Sequence, residues 1–265
     1  MEIISEGMNV GIDRSRDELV AVILDIGEVL LRAGGEVNRV EDTIRRIGTA
    51  YGFTRVDIFT INNMIALTVH DTDGRMITQT RRITSTSVDL EKVARANALS
   101  RKICAEPIPT KELKAQIDDI AQNTITYPKW VRYIAYLISA TAFTVFFGGG
   151  SAEAVASAVT SLVLCSAVNM SVKLKVQPII AILLNSIIMT GFIAAITAVG
   201  RWASFDKIIM GNIMLLIPGL GLTTSIRDLI TGDTVSGLMG ICDALLKAFA
   251  IAVGCVSVMF ITGMV

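Results

Sequence analysis

In an apolar chain, the polar and helix-breaking residues are the costly ones, and they are where chemistry is first sought. The densest stretch of them is Asn212-Ile-Met-Leu-Leu-Ile-Pro218-Gly219-Leu-Gly221-Leu-Thr-Thr-Ser-Ile-Arg227-Asp228. Pro218 removes a backbone donor and crowds the preceding turn, and Gly219 and Gly221 loosen the helix further. A helix interrupted there would present backbone groups to a cargo, as discontinuous transporter helices do. A plain proline kink is the alternative. Arg227 and Asp228 close the stretch at an interfacial position. Further on, Asp243 and Lys247 stand four residues apart and share a helix face. They can hold a proton or a charged cargo, or neutralise each other while Lys247 snorkels. The expected substrate path is therefore Asn212, Pro218, Gly219, Gly221, Arg227, Asp228, Asp243 and Lys247.

Nothing else has the spacing of a reactive centre. Arg39 and Glu41 are two apart on a predicted helix, so they point in different directions and make no dyad. His70 is the sole histidine, and its place in a predicted strand suits a structural imidazole. Cys104, Cys165, Cys242 and Cys255 form no CxxC pair and read as small apolar residues. Asn169 and Asn185 suit hydrogen bonds between helices, and Glu153 suits an interface. A phosphate loop, a serine elbow and a metal-ligand cluster are all missing, so no metal, cofactor or enzyme activity is expected. The formal charge of zero gives no case for a nucleic-acid partner.

These residues are positioned by two contrasting halves. Charged side chains make up 18% of the chain, against about 25% in an average soluble protein. Of 48 charged residues only 11 lie beyond residue 132. The expectation is an α+β cytosolic domain over 1–127 and an all-α membrane bundle over 128–265. Five spans are predicted, at 130–147, 152–171, 178–199, 208–226 and 237–262, each near or above the ~20 residues that cross a bilayer. Trp130, Tyr133 and Tyr136 suit a headgroup belt. The N-terminal residues lack a basic stretch followed by an apolar run, so no cleaved signal is expected and the front domain should stay in the cytoplasm. Lys173 and Lys175 then fall inside, as do Arg227, Asp228 and Asp233, while Arg201, Lys207 and Val265 fall outside.

In the front half the order ααβββαα is predicted. Helical spacing runs over 15–34, stopped by Gly34-Gly35, and again over 36–51, stopped by Gly52. Alternation then takes over in Arg55–Ile61, Met64–His70 and Arg75–Arg82, with Asn62-Asn63 and Asp71–Gly74 as turns. Helices resume over 88–104, capped by Ser87, and from Thr110, as the cap, to Asn123.

Two runs carry a family likeness. LLRAGGEVNRVEDTIRRIGTAYG, residues 30–52, and NIMLLIPGLGLTTSIRDLITGDTVSGLMGICDALLKA, residues 212–248, resemble the threonine/serine exporter family. The resemblance marks Arg39 and Glu41 as the family motif of the cytosolic domain. Family members often carry a His shortly before that motif, and this chain has none there. Complete members are similar to two fused membrane halves of about ten spans, and this chain matches the first half. The resemblance implies a separately encoded small membrane subunit of the YjjB type and a homo- or hetero-oligomer in the lipid bilayer. It also implies export of threonine and serine, or of succinate-type dicarboxylates, in the inner membrane, driven by the proton gradient. The competing expectation is a membrane-anchored sensor or hydrolase acting through the cytosolic domain.

Overall fold

The computed structural model describes residues 2–123, 127–199 and 203–263, with side chains from Ser15 onward. Arg201 and Val265, both used in the orientation argument, lie outside the described residues. Two compact units emerge, Met1–Ile125 with Thr223–Gly240, and Thr126–Leu222 with Ile241–Val265.

The first unit begins with α1 (Glu2–Arg32) and α2 (Val37–Ala50). Gly34 ends α1 at a φ of +83°, where Gly35 N–H donates back to the Leu30 carbonyl at 2.9 Å. The strands β1 (Arg55–Ile61), β2 (Met64–His70) and β3 (Met76–Arg82) form an antiparallel sheet in the order β1-β2-β3. Ile61 pairs with Met64, so Asn62-Asn63 is a two-residue hairpin loop. Along β2, Ile65, Leu67 and Val69 face inward with period two. They join Ile23, Ile26, Ile44 and Ile47 of the first two helices in one core. Arg81 on β3 reaches Asp25 and Glu28, which ties the sheet to α1.

Helices α3 (Leu90–Ala105) and α4 (Thr110–Gln122) add Ile103, Leu113 and Ile117 to the same core. Their starts correct two expectations. Asp89, not Ser87, caps α3, accepting from Lys92 N–H at 3.1 Å. Thr110 is already helical, and Pro109 occupies the cap position of α4. Pro109, extended at φ −57° and ψ 143°, takes the cap position itself, so α4 starts one residue earlier than expected, whereas α3 starts two residues later.

The second unit contains α5 (Lys129–Phe146), α6 (Ser151–Lys173), α7 (Pro178–Val199) and α8 (Phe205–Ile213). It also takes the start of α9 (Gly219–Thr231) and most of α10 (Thr234–Thr262). Three of these helices, α6, α7 and α10, are long and apolar enough to cross a membrane. Lys129 and Arg132 make the first turn of α5 polar. The stretch 208–226 is not one helix: it is divided between α8 and α9, and Met214–Pro218 interrupts it. Leu164, Met189, Ile193 and Ile208 form the unit's core, while Leu245, Phe249, Val256 and Phe260 of α10 face outward. Apolar side chains turned outward along a long helix suit a lipid surround.

Candidate functional site

In the first unit, the end of α9 and the start of α10 form a helical hairpin turned at Gly232, whose φ is +100°. The two helices meet through glycine. A Cβ on Gly237 would stand 2.8 Å from the Leu229 nitrogen and the Ser225 carbonyl oxygen, and one on Gly240 would overlap Ser225 Oγ. This close approach sets Asp228 and Asp233 against residues 36–62 of the same unit. Arg227 donates to Glu36 at 2.7 Å, and the Asn62 amide donates to the Ser236 carbonyl at 3.0 Å.

Asp228 is only 6% exposed, and its carboxylate accepts from Val37 N–H in the first turn of α2. A helix N-terminus offers unpaired N–H groups and a positive dipole end, which suits an anion. Burial nevertheless dominates and, with the charge of Asp233 and then of Glu36, pushes the Asp228 carboxyl up to about 6. The Val37 N–H and Arg227 counter only part of this. Burial also raises the carboxyl of Asp233, whose Oδ2 is buried without a hydrogen-bond partner. Glu41 is raised by burial and then by Asp233, though it accepts from Thr60 N–H at 2.8 Å. Three carboxyl groups thus hold their protons more tightly than free ones do, which is the electrostatic setting of a proton-binding site. Among the described residues no three His, Cys, Asp or Glu side chains gather closely enough to hold a metal ion.

In the second unit, α5, α6 and α8 meet around buried polar groups. Thr144 Oγ1 donates to Ser157 Oγ at 2.7 Å, and the Asn212 amide donates to the same oxygen at 2.9 Å. All three side chains are fully buried. The helices approach so closely that a Cβ on Gly211 would overlap Thr144 Oγ1. Beside them, Glu153 accepts from Gly150 N–H at 2.9 Å and Ser204 N–H at 3.0 Å, which fastens the start of α6 to the segment before α8. Its role is to tie chain segments together, beyond the interfacial one the sequence suggested.

The other predicted residues fall as follows. Pro218, Gly219 and Gly221 lie at the break and the start of α9, and no neighbour would meet a Cβ on either glycine. The carbonyls of Asn212 and Ile213 accept from Leu215, Leu216 and Ile217 within the break, so local turns use them. Lys247 donates to Asp243 at 2.5 Å, the self-neutralising pair. Arg39 is exposed, whereas Glu41 belongs to the carboxyl cluster. Asn185 accepts from Ser171 at 3.1 Å, and Asn169 from Arg132 at 2.6 Å. His70 Nε2 lies 3.7 Å from Asp57. Sequence reasoning missed Glu36, Asn62, Asp233 and Ser236 in the first unit, and Thr144 and Ser157 in the second. Asp233 was placed only on the inner side of the membrane, and nothing local announces its neighbours.

The profile described as "Putative threonine/serine exporter" matches residues 21–262, and the chain belongs to that family. It is 23% identical over 236 residues to the "Probable succinate transporter subunit YjjP" of Klebsiella aerogenes, covering 89% of this chain and 90% of that protein. It is 24% identical over 243 residues to the "Probable threonine/serine exporter" of Mycobacterium tuberculosis, covering 89% of this chain but 45% of that protein. With the "Threonine/serine exporter" of Corynebacterium glutamicum the identity is 24% over 241 residues, 86% of this chain and 48% of that one. The chain thus spans nearly all of the first relative and about half of the other two. No solved structure matches it. Family and apolar helices together make this a membrane protein of the transport class.

Proposed function

We propose that the chain is one subunit of an inner-membrane exporter of small polar metabolites, either hydroxy amino acids or succinate-type dicarboxylates. Its spans lie at 130–147, 152–171, 178–199, 208–226 and 237–262, the fourth interrupted at Met214–Pro218, with the front domain in the cytoplasm. Cargo passes the break, touching Asn212, Pro218, Gly219 and Gly221, with Asp243 and Lys247 of α10 contributing charge. Arg227 and Asp228 carry the coupling to the proton gradient, and a second small membrane subunit of the YjjB type completes the path.

The observation that carries this reading is Asp228, a buried carboxyl pushed up to about 6 on a segment that begins at a helix break. A carboxyl poised there changes charge across the cytoplasmic pH range, and its neighbours Asp233 and Glu41 reinforce the effect. Taking up a proton removes the repulsion within the cluster, which alters how firmly the α9–α10 hairpin is held. The test is export of threonine, serine and succinate from loaded cells carrying native chain or Asp228→Ala, with the second subunit present. Export should disappear in the variant while the protein remains in the membrane. Unchanged export would refute the assignment.

A further inference from the structure

Thr144, Ser157 and Asn212 form a short hydrogen-bonded chain, and its bookkeeping is incomplete. Ser157 Oγ accepts from both Thr144 and Asn212, and neither bond uses the serine's own proton. The Asn212 amide nitrogen is fully engaged, donating also to the Ile208 carbonyl at 3.0 Å. Asn212 Oδ1, however, is completely buried and has no hydrogen-bond partner. One turn earlier on α5, Thr141 Oγ1 is likewise buried and unpartnered. By contrast Thr160, Ser161, Ser166 and Thr197 all donate to a carbonyl of their own helix, the usual refuge of a hydroxyl in an apolar bundle. An orphaned acceptor inside a membrane helix bundle is expensive, so it points to a group that arrives and donates to it.

We infer that Ser157 and Asn212, aided by Thr141, read a hydroxyl group on the cargo. A hydroxyl both donates and accepts. It can give its proton to Asn212 Oδ1 and take one from Ser157 Oγ–H, the two side chains being held together by the 2.9 Å hydrogen bond from Asn212 Nδ2 to Ser157 Oγ. An ammonium group can only donate, and a carboxylate can only accept. The cluster therefore selects hydroxyl-bearing cargo over its hydroxyl-free analogue. Sites that hydrogen-bond a substrate hydroxyl reject the analogue lacking it far more strongly than apolar pockets do, because the site's own polar groups are left unpaired. Asn212 lies two residues before the break at Met214–Pro218, where a discontinuous helix can open the cluster. Gly211 keeps α8 close enough to α5 for this geometry, since any side chain there would meet Thr144.

This inference rests on the exporter reading, and its test separates the two. L-Serine and L-alanine differ by one hydroxyl, so their export is measured side by side, with succinate, from cells carrying the full chain with and without the second subunit. Native protein should prefer serine over alanine by at least about tenfold, and Ser157→Ala or Thr141→Val should cut that ratio by about tenfold. Thr141→Ser should restore it. A ratio that does not move, or rates for both amino acids that fall together, would overturn the hydroxyl site and leave a purely structural cluster. Export of succinate with no preference for serine would overturn the site while the exporter reading stands. Export of none of the three would remove both.

Discussion

Single side chains in this protein are set by what their neighbours do to their protons and hydrogen bonds. Asp228 has an ordinary value of 3.8 raised to about 6, so its stabilising contribution is complete below about pH 4 and is lost as pH rises through about 6. Asp233 and Glu41 are raised too and act in the same direction, whereas Arg227 and Arg45 oppose them. The full chain should therefore melt at a higher temperature near pH 5 than near pH 8. Asp228→Asn keeps an acceptor for Val37 N–H but cannot ionise, so the gap between the two melting temperatures should narrow. An unchanged gap would assign the pH dependence to other groups. Glu153 presents a different case, because both its carboxylate oxygens are in use, on Gly150 and Ser204. Glu153→Gln retains one acceptor oxygen, so it should cost roughly 1–2 kcal/mol in thermal or denaturant unfolding. A neutral result would mean that water serves Ser204 equally well.

At the scale of elements, glycine positions divide into those that let helices touch and those that do not. Gly237 is pressed against backbone atoms of Leu229 and Ser225, which cannot rotate away. Gly237→Ala should therefore separate α9 from α10, costing about 1–3 kcal/mol and speeding hydrogen exchange in both helices. A Cβ on Gly221 would meet nothing within 4 Å, so Gly221→Ala should be neutral or stabilising by up to about 1 kcal/mol, through helix propensity alone. Equal effects would sink the hairpin account. Elements of this kind were largely legible beforehand. Alternation announced β1 and β2 and Gly34 announced the end of α1, because local backbone rules decide these, while Pro218 with its glycines marked where the helix changes but left a break and a plain kink both open. The partners were not legible. Arg227 and Glu36 are 191 residues apart, and no periodicity encodes which helix terminus a carboxylate will meet. Asn212 stood out as a polar residue in apolar sequence, but Ser157 and Thr144 look like ordinary small residues of a packed helix until three helices bring them together.

For the molecule as a whole, length is the informative quantity. The chain covers 90% of a protein named as a transporter subunit, yet only 45% and 48% of two proteins named as exporters. If one membrane half suffices in this chain, its long apolar faces, such as Leu245, Phe249, Val256 and Phe260 on α10, meet only lipid. If a second half is needed, some of those side chains are covered by it. Helices gain little from apolar contact alone inside a bilayer, since acyl chains are equally apolar, so such a union depends on close packing and buried polar groups. The outward face of α10 should then tolerate changes of large apolar residues to alanine where lipid covers it and resist them where the partner does. Leu245→Ala, Phe249→Ala and Phe260→Ala, each tested by co-purification with a tagged small membrane subunit, should show at least one position at which pull-down falls by about tenfold. Export should fall at that same position and stay normal at the others. Full export by the chain expressed alone, with all three variants indistinguishable from native, would make it a self-sufficient transporter.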